Sequence, residues 1–280
     1  MDILEALKYL FLGLVQGITE VLPISSSGHV ELFRNIIHLD VDGSTLFLII
    51  VNTGSLVTMI AIYFQRIVHL FLDSISYIFN KSSRDKTKAG FELTLKIIIA
   101  TIPIAIVGVI FGDFLDSLLA KYNVLVSGVG LLFTGTVLIF VSTKKIRKGF
   151  TQITYLDAVL VGFAQAIALV PGISRSGMTT STAINKGMGI DTALNFSFLL
   201  YIPASIGALL LNIKNFLSSG ERVASSSVYF YYGIAFIAAI ITTYLAYKII
   251  FNIFKSGNIK YFGYYCLLLG FISMGYFILN

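Results

Sequence analysis

Two short stretches hold most of the residues that could do chemistry. The first, GITEVLPISSSGHVELF at 17–33, brings Glu20, Ser25, Ser26, Ser27 and His29 into one local segment. The second, ALVPGISRSGMTTSTAI at 168–184, sets Ser174, Arg175, Ser176 and Thr179 just after a Pro171-Gly172 pair. A carboxylate, hydroxyls, an imidazole and a guanidinium together suit phosphoryl transfer. A serine or a histidine can attack phosphorus, and a carboxylate can hold a divalent cation or take a proton. An arginine can neutralise phosphoryl oxygens through a bidentate contact. Asn52, in VNTGSL, is one more polar residue in the middle of an apolar run, suited either to lining a pocket or to bridging helices.

These residues stand out because the rest of the chain is so apolar. Of 280 residues, 56% are hydrophobic and only 12% charged, about half the charged share of an ordinary soluble domain. Long apolar windows recur at 45–64, 94–112, 124–142, 190–211, 228–248 and 261–279. Each is long enough to cross a hydrocarbon core about 30 Å thick as a helix. The short alternating segments of a membrane β-barrel do not occur. The fold class is therefore an all-α polytopic membrane protein. Glu5 and Lys8 interrupt the apolar N-terminus and no small-residue cleavage site follows, so it reads as mature protein and not as a removable signal. Cys266 is the sole cysteine, which excludes an intrachain disulfide and a thiolate metal cluster. The net charge of +6 fits cytoplasmic loops of a membrane protein, and no basic-aromatic surface for nucleic acid is evident.

Loop charges give a topology. Segment 65–92, the run STKKIRKGF at 142–150 and the turn at 248–260 are basic; 31–44 and 113–123 are not. Placing the three basic connections in the cytoplasm satisfies the positive-inside rule if 3–29 and 154–177 dip into the membrane and return to their own side. Each half then has one re-entrant hairpin and three spans. An odd number of spans per half inverts the second half relative to the first, the inverted-repeat plan of many transporters. The expected units are 1–149, with its re-entrant segment at 3–38, and 150–280, with its own at 154–187. GLVQGITEVLPISSSG at 13–28 and GFAQAIALVPGISRSG at 162–177 match in the corresponding places. Lys96 and Asp157, near span ends, read as interfacial.

Within a bilayer, non-helical backbone is tolerated only where protein buries it or where it lines a wet cavity. Pro23 and Pro171-Gly172 end their helices, since proline has no N–H to donate. The serines that follow are good N-caps for helices near 28–38 and 176–187. Each break thus offers the positive end of a helix and free N–H groups, which is an anion site. A secondary transporter or flippase for phosphate or an anionic isoprenyl lipid would also use such paired breaks, with Glu20 or His29 coupling protons. A pure carrier has no need of a serine-histidine pair, and that favours an enzyme.

The two motifs, with NFSFLLYIPASIGALLL after the second, resemble the undecaprenyl pyrophosphate phosphatase family, also called the bacitracin-resistance phosphatases. The resemblance covers nearly the whole chain. It implies hydrolysis of undecaprenyl diphosphate to the monophosphate and phosphate, recycling the lipid carrier of cell-wall synthesis, at the outer face of the plasma membrane. It implies Mg²⁺ or Ca²⁺ as cofactor, and Glu20 as the essential carboxylate that holds it. Ser26 falls at the position proposed as nucleophile, among Ser25 and Ser27, with His29 after it. Pro171, Gly172, Ser174, Arg175, Ser176 and Thr179 match the second motif, and Gln16 the first position of the first. Two departures matter: Gln16 is neutral where some members have a glutamate, and Asn52 stands where the family more often has glutamine. Ser26 and His29 both stay open as the attacking group. The type 2 phosphatidic-acid phosphatases also carry Ser-Gly-His and Ser-Arg elements, but they place a histidine and an aspartate where this chain has Ser181 and Asn185. The expected partners are an isoprenyl diphosphate lipid and the bilayer, with a homodimer open.

Overall fold

The computed structural model describes residues 2–39, 44–143, 149, 152–219, 227–255 and 258–279. Among them nine α-helices run in order: α1 Ile3–Val21, α2 Ser26–Ile36, α3 Ser44–Phe79, α4 Arg84–Val141, α5 Tyr155–Ile167, α6 Arg175–Asn185, α7 Ile190–Ser219, α8 Ser227–Lys255 and α9 Ile259–Leu279. No strand occurs among the described residues. Tyr122 (φ −133°, ψ 27°) breaks α4 into two parts. Six stretches are long and apolar enough to cross a membrane: 46–79, 81–112, 124–141, 190–219, 228–254 and 259–278. They include the six windows expected from hydropathy almost completely.

The helices run further than those windows. Residues 65–79 and 84–93, read as connection, are helical, joined by a 3-10 turn at Lys81–Ser83. The reason is local: Tyr77 stacks on Phe91 at 4.3 Å, and Ser74 bonds to Thr94 at 3.1 Å, so the two extensions zip together. At 1.5 Å per residue, the 36 residues of α3 are about 54 Å long, well beyond a hydrocarbon core. The basic run at 144–148, Asp40 and Asp42, and residues 220–226 of the 212–227 link lie outside the described residues. So do the side chains of Asp113, Asp116 and Lys121.

Short helices α1–α2 and α5–α6 form two hairpins set among the long ones. α1 packs on α8, and α5 packs on α4. The main core gathers Leu131 and Leu138 of α4, Phe196 and Leu200 of α7, Ile250 and Phe254 of α8 and Cys266 of α9. Large apolar side chains such as Ile106, Leu210, Ile237 and Phe271 face outward, as lipid contact requires. Both residues read as interfacial are buried in the protein. Asp157 is buried and closes a capping box with Thr154, each bonding the other's backbone N–H at 3.1 Å. Lys96 is also buried, 3.5 Å from Glu92 and 5.2 Å from the Tyr155 ring centre.

Candidate active site

The two chain breaks arise as proline dictates. Leu22, before Pro23, is extended (φ −72°, ψ 147°) and ends α1. Ser25 then caps α2, its Oγ accepting from the Gly28 N–H at 3.4 Å. In the second break Gly172 takes φ +83°, a left-handed conformation natural to glycine, and a Cβ there would meet the Ser127 carbonyl. Ser174 caps α6 through the Gly177 N–H at 3.1 Å. Thr134 of α4 clamps this break from both sides. Its hydroxyl donates to the Gly172 carbonyl at 3.1 Å and accepts from the Ser174 N–H at 3.0 Å.

The breaks meet backbone to backbone. A Cβ added to Gly28 would lie 3.2 Å from the Gly172 Cα, and Ser176 Oγ donates to the Leu22 carbonyl at 3.0 Å. The N-termini of α2 and α6 are thereby brought side by side. Their first-turn N–H groups, at Ser26, Ser27, Arg175 and Ser176, precede the helical hydrogen-bond ladder.

Glu20, at the end of α1, is the centre of the site. Its Oε1 accepts from Arg175 Nη2 at 2.7 Å, and its Oε2 accepts from Ser26 Oγ at 2.5 Å and from Gln16 Nε2 at 2.8 Å. Gln16, one helical turn before, spends its other amide hydrogen on Asn52 Oδ1 at 2.7 Å. The neutral amide at position 16 therefore acts as a donor that holds Glu20, a service a glutamate could not give. Arg175 is the first residue of α6, and its side chain is 25% exposed against 6% for Glu20.

A cavity of about 590 Å³ lies over this cluster. Glu20, Ser25, Ser26, Ser27, Asn52, Ser174, Arg175 and Ser176 form its polar end. Its other end is apolar, lined by Ile104 and Val109 of α4, Leu169, and Leu209 and Leu210 of α7. Val109 and Leu210 are 69% and 64% exposed, so this end opens on the lipid-facing surface.

Three of the residues singled out in the sequence do not line the cavity. Gln16 acts behind Glu20, as described. Thr179 is buried and bonds Ser197 Oγ of α7 at 2.5 Å and the Arg175 carbonyl at 2.9 Å, so it ties α6 to α7. His29 is 1% exposed. Its Nδ1 lies 2.7 Å from the Ser25 carbonyl, and its Nε2 lies 2.8 Å from the Tyr265 hydroxyl of α9, against whose ring it stacks. With Nδ1 donating to the Ser25 carbonyl, Nε2 is left to accept from the Tyr265 hydroxyl.

Sequence reasoning missed Tyr201, Ser205, Thr134 and Ser197. Arg175 Nη1 donates to Ser205 Oγ at 3.0 Å, and its guanidinium carbon sits 4.4 Å over the Tyr201 ring. The four-residue spacing in YIPAS puts Tyr201 and Ser205 on one face of α7, but only Arg175's position across the fold gives that spacing a meaning.

Comparison with known proteins places this geometry. The family model described as bacitracin resistance protein BacA matches residues 9–272. The undecaprenyl-diphosphatase 1 of Bacillus cereus is 41% identical over 268 residues, covering 96% of both chains. The undecaprenyl-diphosphatase of Oceanobacillus iheyensis is 42% identical, covering 95% of this chain and 94% of its own. The undecaprenyl-diphosphatase 1 of Bacillus licheniformis is 40% identical over 270 residues, covering 96% and 97%.

Proposed function

The chain belongs to the bacitracin resistance protein BacA family, and from that premise we propose that it is an integral membrane phosphatase converting undecaprenyl diphosphate to undecaprenyl phosphate and inorganic phosphate. Such an activity recycles the lipid carrier for cell-wall synthesis and confers bacitracin resistance. The observation that carries the reading is one cavity with two characters. Its polar end holds Ser26 and Arg175 each bonded to Glu20, and its apolar end opens to lipid between α4 and α7. A diphosphate on a long isoprenoid tail has those same two characters.

In the mechanism we favour, the terminal phosphoryl group lies against Arg175, the N-termini of α2 and α6 and the serine hydroxyls. Ser26 Oγ attacks phosphorus and its proton passes to Glu20 Oε2, 2.5 Å away. The bond from phosphorus to the bridging oxygen breaks, and undecaprenyl phosphate leaves, taking the proton from Glu20. Water then attacks the phosphoserine, Glu20 takes its proton and passes it to Ser26 Oγ as the serine–phosphorus bond breaks, and phosphate is released. His29 supports this site from behind: it holds the Ser25 carbonyl, and so the cap that aims Ser26.

Glu20 is the one carboxylate lining the cavity, and no group of three or more His, Cys, Asp or Glu side chains gathers among the described residues. That donor set suits Mg²⁺ or Ca²⁺ shared with the substrate. Mg²⁺ in particular is commonly held by one or two carboxylates together with substrate phosphates. When bound, the cation would neutralise phosphoryl oxygens and make phosphorus easier to attack.

We also take the two halves to be inverted repeats, with the site at the outer face of the plasma membrane. Matching contacts support the repeat. Gly13 of α1 meets the Ala235 backbone of α8, and its counterpart Gly162 of α5 meets the Ala100 backbone of α4. Ser25 and Ser27 lie 3.3 Å apart, as do Ser174 and Ser176.

The test is phosphate release from undecaprenyl or farnesyl diphosphate by purified protein in detergent, with Mg²⁺ or with EDTA. Metal-dependent release that Arg175→Ala abolishes is the expected result. No release from folded, lipid-binding protein would refute the reading.

A further inference from the structure

We infer that Tyr201 and Ser205 of α7 are positioning residues for Arg175, and that they hold one edge and one face of its guanidinium while the other edge exchanges Glu20 for the substrate's terminal phosphoryl group. The inference rests on the phosphatase reading above and adds to it a fixed support for the moving charge.

Three contacts carry it. Nη2 faces Glu20 at 2.7 Å, Nη1 is tied to Ser205 Oγ at 3.0 Å, and the guanidinium carbon lies over the Tyr201 ring, 4.4 Å from its centre. Tyr201 is 7% exposed, so the platform is fixed by packing. The contacts divide by direction. Glu20 takes the edge that turns toward Ser26, where the phosphoryl group must lie for attack. Ser205 and the Tyr201 ring take the other terminal nitrogen and one face, neither carries a charge that would compete with phosphate, and the Tyr201 hydroxyl bonds to Glu20 and Ser205.

At rest, then, the arginine is held from both sides. When Glu20 accepts the serine proton or shares its charge with a cation, its hold on Nη2 weakens. A long arginine side chain released at that moment would gain rotamer freedom just when phosphoryl charge has to be met. The α7 contacts prevent this: they stay in place throughout and leave Nη2 free to turn to the new oxygen. Because phosphoryl charge shifts most in the transition state, this support belongs to kcat more than to substrate binding.

The test compares four variants with wild type for kcat and KM on undecaprenyl diphosphate. Tyr201→Leu removes the aromatic face and is expected to lower kcat roughly 10-fold, in line with a cation–π contact out of water, with KM changed by no more than about 2-fold. Tyr201→Phe keeps the ring but gives up the hydroxyl's bonds to Glu20 and Ser205, and is expected to hold kcat within about 3-fold of wild type. Ser205→Ala, which keeps the packing, is expected to lose roughly 10-fold, mostly through the tether, and Ser205→Thr to recover most of it. The same changes are then made on Arg175→Lys. There a contact specific to guanidinium has nothing left to hold, so the further losses should shrink to about 2-fold or less.

Wild-type kcat in Tyr201→Leu and Ser205→Ala would overturn the inference while leaving the phosphatase reading standing. So would equal losses in Tyr201→Leu and Tyr201→Phe, which would put the effect in the hydroxyl and its bonds to Glu20 and Ser205, or losses that multiply fully on Arg175→Lys, which would put it in packing; neither is support of the guanidinium by the ring. Should Tyr201→Leu fail to give folded protein, the Ser205 pair decides by itself. Absence of phosphate release from wild type would sink the phosphatase reading first, and this inference with it.

Discussion

Replacing Ser26 with alanine separates chemistry from scaffold better than any other single change. Ser26 contributes one hydroxyl, which donates to Glu20. After its removal Glu20 still has Arg175 and Gln16 as donors, so no buried acceptor is stranded. The lost bond, one of three to that carboxylate, should change stability by no more than about 1.5–3 kcal/mol. If Ser26 is the nucleophile, the same change removes the bond-forming atom, and only the electrostatics of Arg175 and the helix ends remain. Loss of a nucleophile from an intact site lowers kcat by roughly 10³-fold or more, over 4 kcal/mol of barrier. His29→Ala is the necessary counterpart. It opens a hole beside Tyr265 and frees the Ser25 carbonyl, so it should lower the melting temperature by several degrees while keeping a measurable kcat. The assay is phosphate release under single-turnover conditions, alongside thermal unfolding in detergent. With ³²P in the terminal phosphoryl group, acid-quenched wild type should yield labelled phosphoserine. Ser26→Ala holding more than a tenth of wild-type kcat would refute the assignment. So would a His29→Ala protein that melts normally and is dead until imidazole is added.

Two further outcomes follow from the same contacts. Gln16→Glu converts a donor into a second carboxylate next to Glu20 and should lower the Mg²⁺ concentration for half-maximal activity several-fold, measured by metal titration. Gly207 lines the cavity and has open space where a Cβ would project, so Gly207→Leu should fold and yet narrow the apolar end. Its KM should rise for the C55 substrate and much less for a C15 analogue.

The six spans and both breaks were legible because the bilayer imposes simple rules: long apolar runs for spans, and proline with small polar residues where a helix stops. Glu20, Ser26 and Arg175 were legible for a related reason, since ionisable and hydroxyl groups in so apolar a chain need a purpose. What was not legible depends on who faces whom. Nothing in HVELF says that the His29 ring turns to Tyr265, 236 positions later, and away from Ser26. Tyr201 and Ser205 look like ordinary residues of an apolar helix until Arg175 is placed on them. Residues 65–92 misled through charge: five basic residues suggested a loop, although the apolar residues between them keep helical spacing.

The charge balance of the site makes a last prediction. At rest Glu20 and Arg175 neutralise each other at 2.7 Å, leaving chiefly two helix N-termini, each worth roughly half a positive charge. The diphosphate of the substrate brings about −3 near neutral pH, its terminal phosphoryl group having a second pKa near 6. The protein therefore meets about one of three negative charges, and a shortfall of roughly two remains in a partly dry cavity. One divalent cation closes that gap and a monovalent one does not. EDTA should accordingly abolish turnover, Mg²⁺ or Ca²⁺ should restore it, and 100 mM-scale K⁺ or Na⁺ should fail. A Glu20→Lys protein would add two positive charges to the same place and should bind the diphosphate without metal, yet remain inactive for want of a base. If wild type turned over in EDTA at an unchanged rate, the balance would be wrong, and neutralising charge would have to come from protein groups outside this cluster.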